Sequence, residues 1–144
     1  MVNCNADTSK GEIKTKLKIG NYFYITLEEE IILTKTKEES FLDNVNTYFR
    51  IRIVENKYDE DFIKEEMIDS LKRHLPEKAT LIEMPKGDLE YYGYYEYVVT
   101  REDEYHSFVG EVYGKEASIL LMFYFDDIKW LEKARNIWMS CSDK

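Results

Sequence analysis

Residues 89–100 read LEYYGYYEYVVT, residues 105–113 read YHSFVGEVY and residues 117–125 read ASILLMFYF, three β-rich runs parted only by a charged tip at 101–104 and by Gly114-Lys115. Side chains alternate across a strand, so Leu89, Tyr91, Gly93, Tyr95, Tyr97 and Val99 share one side of the first run, and Glu90, Tyr92, Tyr94, Glu96 and Val98 share the other. The first set reads as core. The second mixes aromatic rings with carboxylates, a composition suited to a half-wet surface. The third run is apolar at both parities, with Ile119, Leu121 and Phe123 against Leu120, Met122 and Tyr124. A strand covered on both sides belongs in the middle of its sheet.

Working outward, the period stays at two over residues 13–19, 22–27, 31–37 and 47–54, with Gly20-Asn21 and residues 37–40 as turns and a short connector before Thr47. The last of these runs turns Phe49, Ile51 and Ile53 inward and Tyr48, Arg50 and Arg52 outward. The period then changes. Asp59 can cap a helix carrying Phe62, Ile63, Met67, Ile68, Leu71 and Leu75 on one stripe, and Pro76 stops it. A strand is expected at 80–84, followed by a turn at 85–88. A closing helix capped near Asp126 or Asp127 presents Ile128, Leu131, Ala134, Ile137, Trp138 and Cys141. Consecutive strands without β-α-β alternation predict an α+β domain, a mainly antiparallel sheet with two main helices packed on it. Residues 1–11 read as a flexible leader and 12–144 as a single domain.

Composition excludes more than it assigns. With 144 residues, 44% hydrophobic, 34% charged and only 2 Pro and 6 Gly, the chain is neither disordered nor low-complexity. Its formal net charge of −9 opposes nucleic-acid binding. The same charge serves solubility or an acidic docking surface for a basic partner. Two cysteines, Cys4 and Cys141, cannot form a redox pair or a thiolate zinc site. The opening residues hold no apolar stretch of signal length, and the longest apolar run, at 119–125, is too short to span a bilayer. The chain as it stands is expected to be cytoplasmic, with no membrane association.

The helix at 59–75, the strand at 89–99 with its internal Tyr92-Gly93-Tyr94, the hairpin leading to Ile119-Leu120-Leu121 and the ending Ile137-Trp138-Met139-Ser140 together resemble the PsbP-like α-β-α fold over roughly residues 20–141. That fold is used by an extrinsic photosystem subunit, a Ran-binding import factor and many small bacterial proteins, among them adaptor chaperones for secreted effectors. The resemblance implies a binding role more than a catalytic one. It carries no functional residue over.

Chemistry has few handholds. The glycine spacing admits neither a dinucleotide fingerprint nor a P-loop, and no zinc-protease, nucleophile-elbow or EF-hand motif occurs. No cofactor and no metal is expected. His74, in the last turn of the first helix, suits the negative end of its dipole. His106 reads as a hydrogen-bonded histidine at the edge of the core, with a ligand or general base as the competing role. The carboxylates Glu102, Asp103, Glu104, Asp126 and Asp127 are accounted for by a solvated tip and by capping. The leading expectation is therefore a non-enzymatic protein-binding module, an acidic immunity or adaptor protein in its sharper form, with Glu90, Tyr92, Tyr94 and Glu96 as the contact patch. In the bland reading of that patch, Tyr92 and Tyr94 sit beneath a helix. The competing class is a small-ligand-binding domain or enzyme with a pocket between sheet and helix reaching Tyr105, His106 and Tyr113.

Overall fold

A computed structural model of the chain describes residues 14–28, 33–35, 41–44, 48–75, 80–86 and 89–143. The leader with Cys4, the turn at 37–40, the stop at Pro76, and Gly87 and Asp88 lie outside them.

Strands β1 (Lys14–Ile19) and β2 (Phe23–Glu28) form an antiparallel hairpin. The remaining strands are β3 (Leu33–Lys35), β4 (Phe41–Asn44), β5 (Phe49–Lys57), β6 (Thr80–Lys86), β7 (Leu89–Val99), β8 (Glu104–Tyr113) and β9 (Ala117–Phe125). They make one antiparallel sheet in the order β3-β4-β5-β9-β8-β7-β6. β9 is its middle strand, as two apolar parities predict. β4 falls where the sequence reads as a connector: four residues including Asp43 and Asn44 have little strand propensity of their own, and pairing with β3 and β5 on either side makes them a strand.

The helices are α1 (Lys64–Arg73) and α2 (Trp130–Met139). Both begin later than their capping residues predict, for one reason. Asp59 closes a turn instead, its carboxylate accepting from Asp61 N at 3.0 Å and its carbonyl from Phe62 N at 3.2 Å. There the Tyr58 and Phe62 rings stack at 3.8 Å. Asp127 acts likewise, accepting from Lys129 N at 3.0 Å through its side chain and from Trp130 N at 3.0 Å through its carbonyl. An Asx turn satisfies the amides that a cap would have used. Ile128 consequently precedes α2 and is exposed.

α2 and the β1–β2 hairpin cover one face of the sheet. Ile19, Phe23, Ile25 and Leu27 of the hairpin join Phe49, Ile51, Phe108, Val112, Ile119, Leu121, Phe123 and Phe125 of the sheet and Ala134, Ile137 and Trp138 of α2 in one core. Two polar locks hold the hairpin down. Tyr24 and Ser142 exchange backbone hydrogen bonds of 2.8 and 2.9 Å. The Glu55 carboxylate accepts from Asn21 N at 2.8 Å and Tyr22 N at 2.9 Å, straddling the turn at Gly20. Gly20 has φ +65, and a Cβ there would meet that carboxylate, so the turn needs glycine for backbone and space alike.

α1 lies on the opposite face, with Ile68 and Leu71 against Tyr92 and Tyr113. Among the described residues, no helix is long and apolar enough to cross a membrane.

Candidate interaction surface

The face under α1 can be laid out in rows from the strand register. One row runs Asp43, Arg50, Tyr124, Ser107, Glu96 across β4, β5, β9, β8 and β7; the next runs Arg52, Met122, Val109, Tyr94; the third runs Val54, Leu120, Glu111, Tyr92. A ten-residue helix is about 15 Å long, whereas strands of nine to eleven residues extend about 30–37 Å. α1 therefore covers the Tyr92–Tyr113 end, and in the rows beyond it Tyr94, Glu96, Val109, Met122 and Tyr124 stay half-buried while the small Ser107 is buried among them. Leu120, Met122 and Tyr124 are only half-buried while Ile119, Leu121 and Phe123 are fully buried. The expectation that β9 is covered on both faces thus holds for one face alone.

The four residues named from the sequence share this face, but the helix divides them. Tyr92 is 8% exposed, meets Tyr113 edge-on at 5.9 Å and lies under the Lys72 ammonium at 5.7 Å. Its hydroxyl donates to Glu90 Oε1 at 3.1 Å, and Glu90 also pairs with Lys64 of α1. The Lys64 hydrogen bond, with help from Tyr92, holds the Glu90 carboxyl below its usual range against some desolvation. Glu90 and Tyr92 are thus the seat of α1; of the two tyrosines that the bland reading puts beneath a helix, Tyr92 is the one that meets α1. Tyr94 and Glu96, one and two rows further along, are half-buried and lie on the open stretch.

The opposite parity departs from expectation at its far end. Tyr97 is 48% exposed and Val99 64%: β7 outruns the core there, so its last inward positions are covered only in part, Tyr97 by the His106 ring at 4.9 Å.

Tyr105, His106 and Tyr113 do not line one pocket. Tyr105 and Tyr113 are on the α1 side of β8, and His106, of opposite parity, is on the α2 side, a direct consequence of the two-residue strand period. Tyr113 is fully buried beneath α1. His106 stacks on Phe125 at 5.6 Å and Tyr95 at 5.8 Å, and its Nδ1 shares a 2.5 Å hydrogen bond with the Tyr95 hydroxyl. His74 Nδ1 is 2.7 Å from the Ser70 carbonyl and donates to it, finishing the helix end.

The open rows have a distinctive electrostatic make-up. Burial raises the Tyr94, Tyr124 and Tyr48 hydroxyls above their ordinary range, so these rings stay neutral. Arg50 forks onto Asp43 at 2.6 and 3.0 Å. Glu111, between Leu120 and Tyr92, is raised by burial; the Tyr113 hydroxyl beside it, short of good hydrogen-bond geometry, offsets that only in part. A raised carboxyl in the folded state contributes stability that is full below the unfolded value and is lost as pH rises through the folded one. Glu111→Gln is accordingly expected to raise the melting temperature by a few degrees at neutral pH. The gain should vanish below about pH 4, where the acid is protonated in both states. Thermal melts of the two proteins across pH check this.

No family model matches the sequence, and no curated protein matches it either. The structure is similar to the solution structure of cyanobacterial PsbP (CyanoP) from Synechocystis sp. PCC 6803, with a TM-score of 0.67 and 10% identity over 100% of this chain and 99% of that one. The fold is PsbP-like.

Within this PsbP-like α-β-α frame, two furrows among the described residues lie away from the candidate residues. One flanks α2, along Ile128, Leu131, Arg135 and Met139, with a volume of about 450 Å³. The other, of about 400 Å³, lies between β2 and α2, along Thr26, Ile137 and Ser140. Among the described residues, no group of three or more His, Cys, Asp or Glu side chains could hold a metal ion. What the PsbP-like sheet offers is a broad half-wet surface of tyrosines, Met122, Val109 and arginines. The sequence pattern marks Arg50, Arg52 and Tyr48 as outward-facing without joining them to Tyr94. The missing signal is register: only strand pairing shows that β5, β9, β8 and β7 place these residues in adjoining rows.

Proposed function

We propose that the chain is a non-enzymatic protein-binding module whose contact surface is the part of the sheet face that α1 leaves open, centred on Tyr94, Val109, Met122 and Tyr124 with Arg52 and Glu96 at its flanks. The observation that carries this reading is the half-burial of those apolar and aromatic side chains on strands whose other parity is sealed. Tyrosine, methionine and arginine are favoured in protein interfaces, where a ring or thioether supplies apolar area and a guanidinium or hydroxyl supplies direction. A pocket for a small ligand between sheet and α2 has less in its support, because that space holds Trp138, Tyr91, Phe108 and Phe123.

The sharper immunity or adaptor reading calls for a mainly acidic contact surface. The open rows instead mix Arg50 and Arg52 with Glu96, while carboxylates gather on α1 at Glu65, Glu66 and Asp69 and at the 101–104 tip. A partner of mixed charge fits the open rows better than a uniformly basic one. A cytoplasmic setting belongs to the same reading.

The test combines Tyr94→Ala with Glu96→Lys. The double variant is expected to lose capture of its partner from a lysate of the source cells while melting within a few degrees of the parent. Undiminished capture would move the contact surface elsewhere.

A further inference from the structure

We infer that the outer edge of β1 is a second docking site, which takes up an extended acidic segment of a partner protein as an added strand. The hairpin lies on the α2 side of the sheet, the face opposite Tyr94 and Glu96, so this site stands apart from the proposed contact surface. Among the described residues, β1 pairs with β2 alone. Residues facing each other in an antiparallel pair alternate between exchanging hydrogen bonds and turning their N–H and C=O groups outward. On β2, Tyr24 exchanges its backbone bonds with Ser142. The Thr26 N–H donates to Ser140 Oγ at 2.8 Å, and its carbonyl accepts from the same hydroxyl at 3.4 Å. Both residues therefore turn away from β1. Lys18 and Lys16 stand opposite them, so the N–H and C=O groups of these two lysines point away from β2, along the outer edge. Protein segments that extend a sheet dock on such a row of backbone donors and acceptors.

Side chains then select the segment. Lys16 and Lys18 are exposed, while Leu17 between them is half-buried against the core. Neither lysine is in an ion pair among the described residues. The Lys16 ammonium lies 4.9 Å from the centre of the Tyr24 ring, which fixes the place of the charge without cancelling it. In an added strand, the residues opposite Lys16 and Lys18 project on the lysine side and the one between them projects beside Leu17. The complement is an acidic, an apolar and an acidic residue in succession. A second copy is excluded by the same lysines, because β1 against β1 sets like charges across from each other. The net charge of −9 repels an acidic segment at a distance, but salt screens that repulsion beyond about 8 Å, and the lysines act at contact.

Fluorescence anisotropy on the intact chain with a dye-labelled peptide, Thr-Val-Glu-Val-Glu-Val-Thr, tests the inference. Lys16→Glu combined with Lys18→Glu should weaken binding at least about tenfold, and a peptide with lysines in place of its glutamates should bind that variant instead. N-methylation of both glutamates removes the N–H groups that would donate to the Lys16 and Lys18 carbonyls, and should cost about tenfold or more. N-methylation of the valine between them, whose N–H faces away from β1, should leave binding unchanged. Because the methylated peptides leave the protein untouched, this comparison holds even if the double variant fails to fold. No binding of the parent peptide at millimolar concentration, or equal binding of the two methylated peptides, overturns the inference. An oligothymidylate that binds the parent chain more tightly than the peptide, and is lost from the double variant, overturns it as well and makes the edge a phosphate site.

Discussion

Trp138→Ala is expected to lower the free energy of unfolding by about 3–5 kcal/mol, toward the top of that range. Read by urea denaturation, the midpoint should fall while the slope stays the same. The indole is fully buried, with Tyr91 edge-on at 5.7 Å and Phe108 at 5.3 Å, and its Nε1 donates to the Glu111 carbonyl at 3.2 Å. It rests on Gly93 and Gly110, which lie directly opposite each other on β7 and β8. Two facing glycines leave a dent in the pleated surface, and the indole fills it. Once the ring is removed, neither glycine has a side chain that could lean into the space, so the cavity persists and its full cost is felt.

The same dent gives a second, coupled result. A Cβ at Gly110 would land inside the Trp138 ring, and the ring is held by its hydrogen bond and by its aromatic neighbours. Gly110→Ala alone should therefore cost about 1–3 kcal/mol through overpacking. In the double variant the alanine has nothing to strike, so Gly110→Ala with Trp138→Ala should be little worse than Trp138→Ala by itself. Simple additivity of the two costs would show that glycine and indole do not share one space.

How much of this could be read from the chain is a matter of period and partner. Strict alternation at Phe23, Ile25 and Leu27, or Phe49 and Ile51, announces strand and inward face together, and two apolar parities announce β9 as central. What alternation cannot announce is how far a covering element extends. The side of β7 that ends in Tyr97 and Val99 has the pattern of core, yet its end stays about half exposed or more. Tyr92 and Tyr94 are indistinguishable in sequence, and only the length and docking of α1 separates them. Tyr105 and His106, neighbours in the chain, are put on opposite faces by the same period that made the strand legible. The glycine pair was visible as two glycines, but their meeting at one point depends on register, as does the grouping of Arg52 with Tyr94.

That separation of Tyr92 from Tyr94 yields the most direct check of where the core ends and the contact surface begins. Tyr92→Ala is expected to cost about 3 kcal/mol, because it removes a ring buried against Ile68, Leu71 and Tyr113, takes a donor from Glu90 and unseats α1. Tyr94→Ala, one row beyond the helix, removes a ring that is already half in water and should cost about 1 kcal/mol or less. Urea unfolding of both variants gives the two numbers under one set of conditions. Tyr92→Phe isolates the hydroxyl: it keeps the packing and loses the 3.1 Å bond to Glu90, and should cost about 0.5–1.5 kcal/mol. Should Tyr94→Ala prove as damaging as Tyr92→Ala, the face beyond α1 would be sealed core. The rows through Tyr94 and Glu96 could then bind no other protein, because a surface that the fold needs closed cannot also be the one it offers.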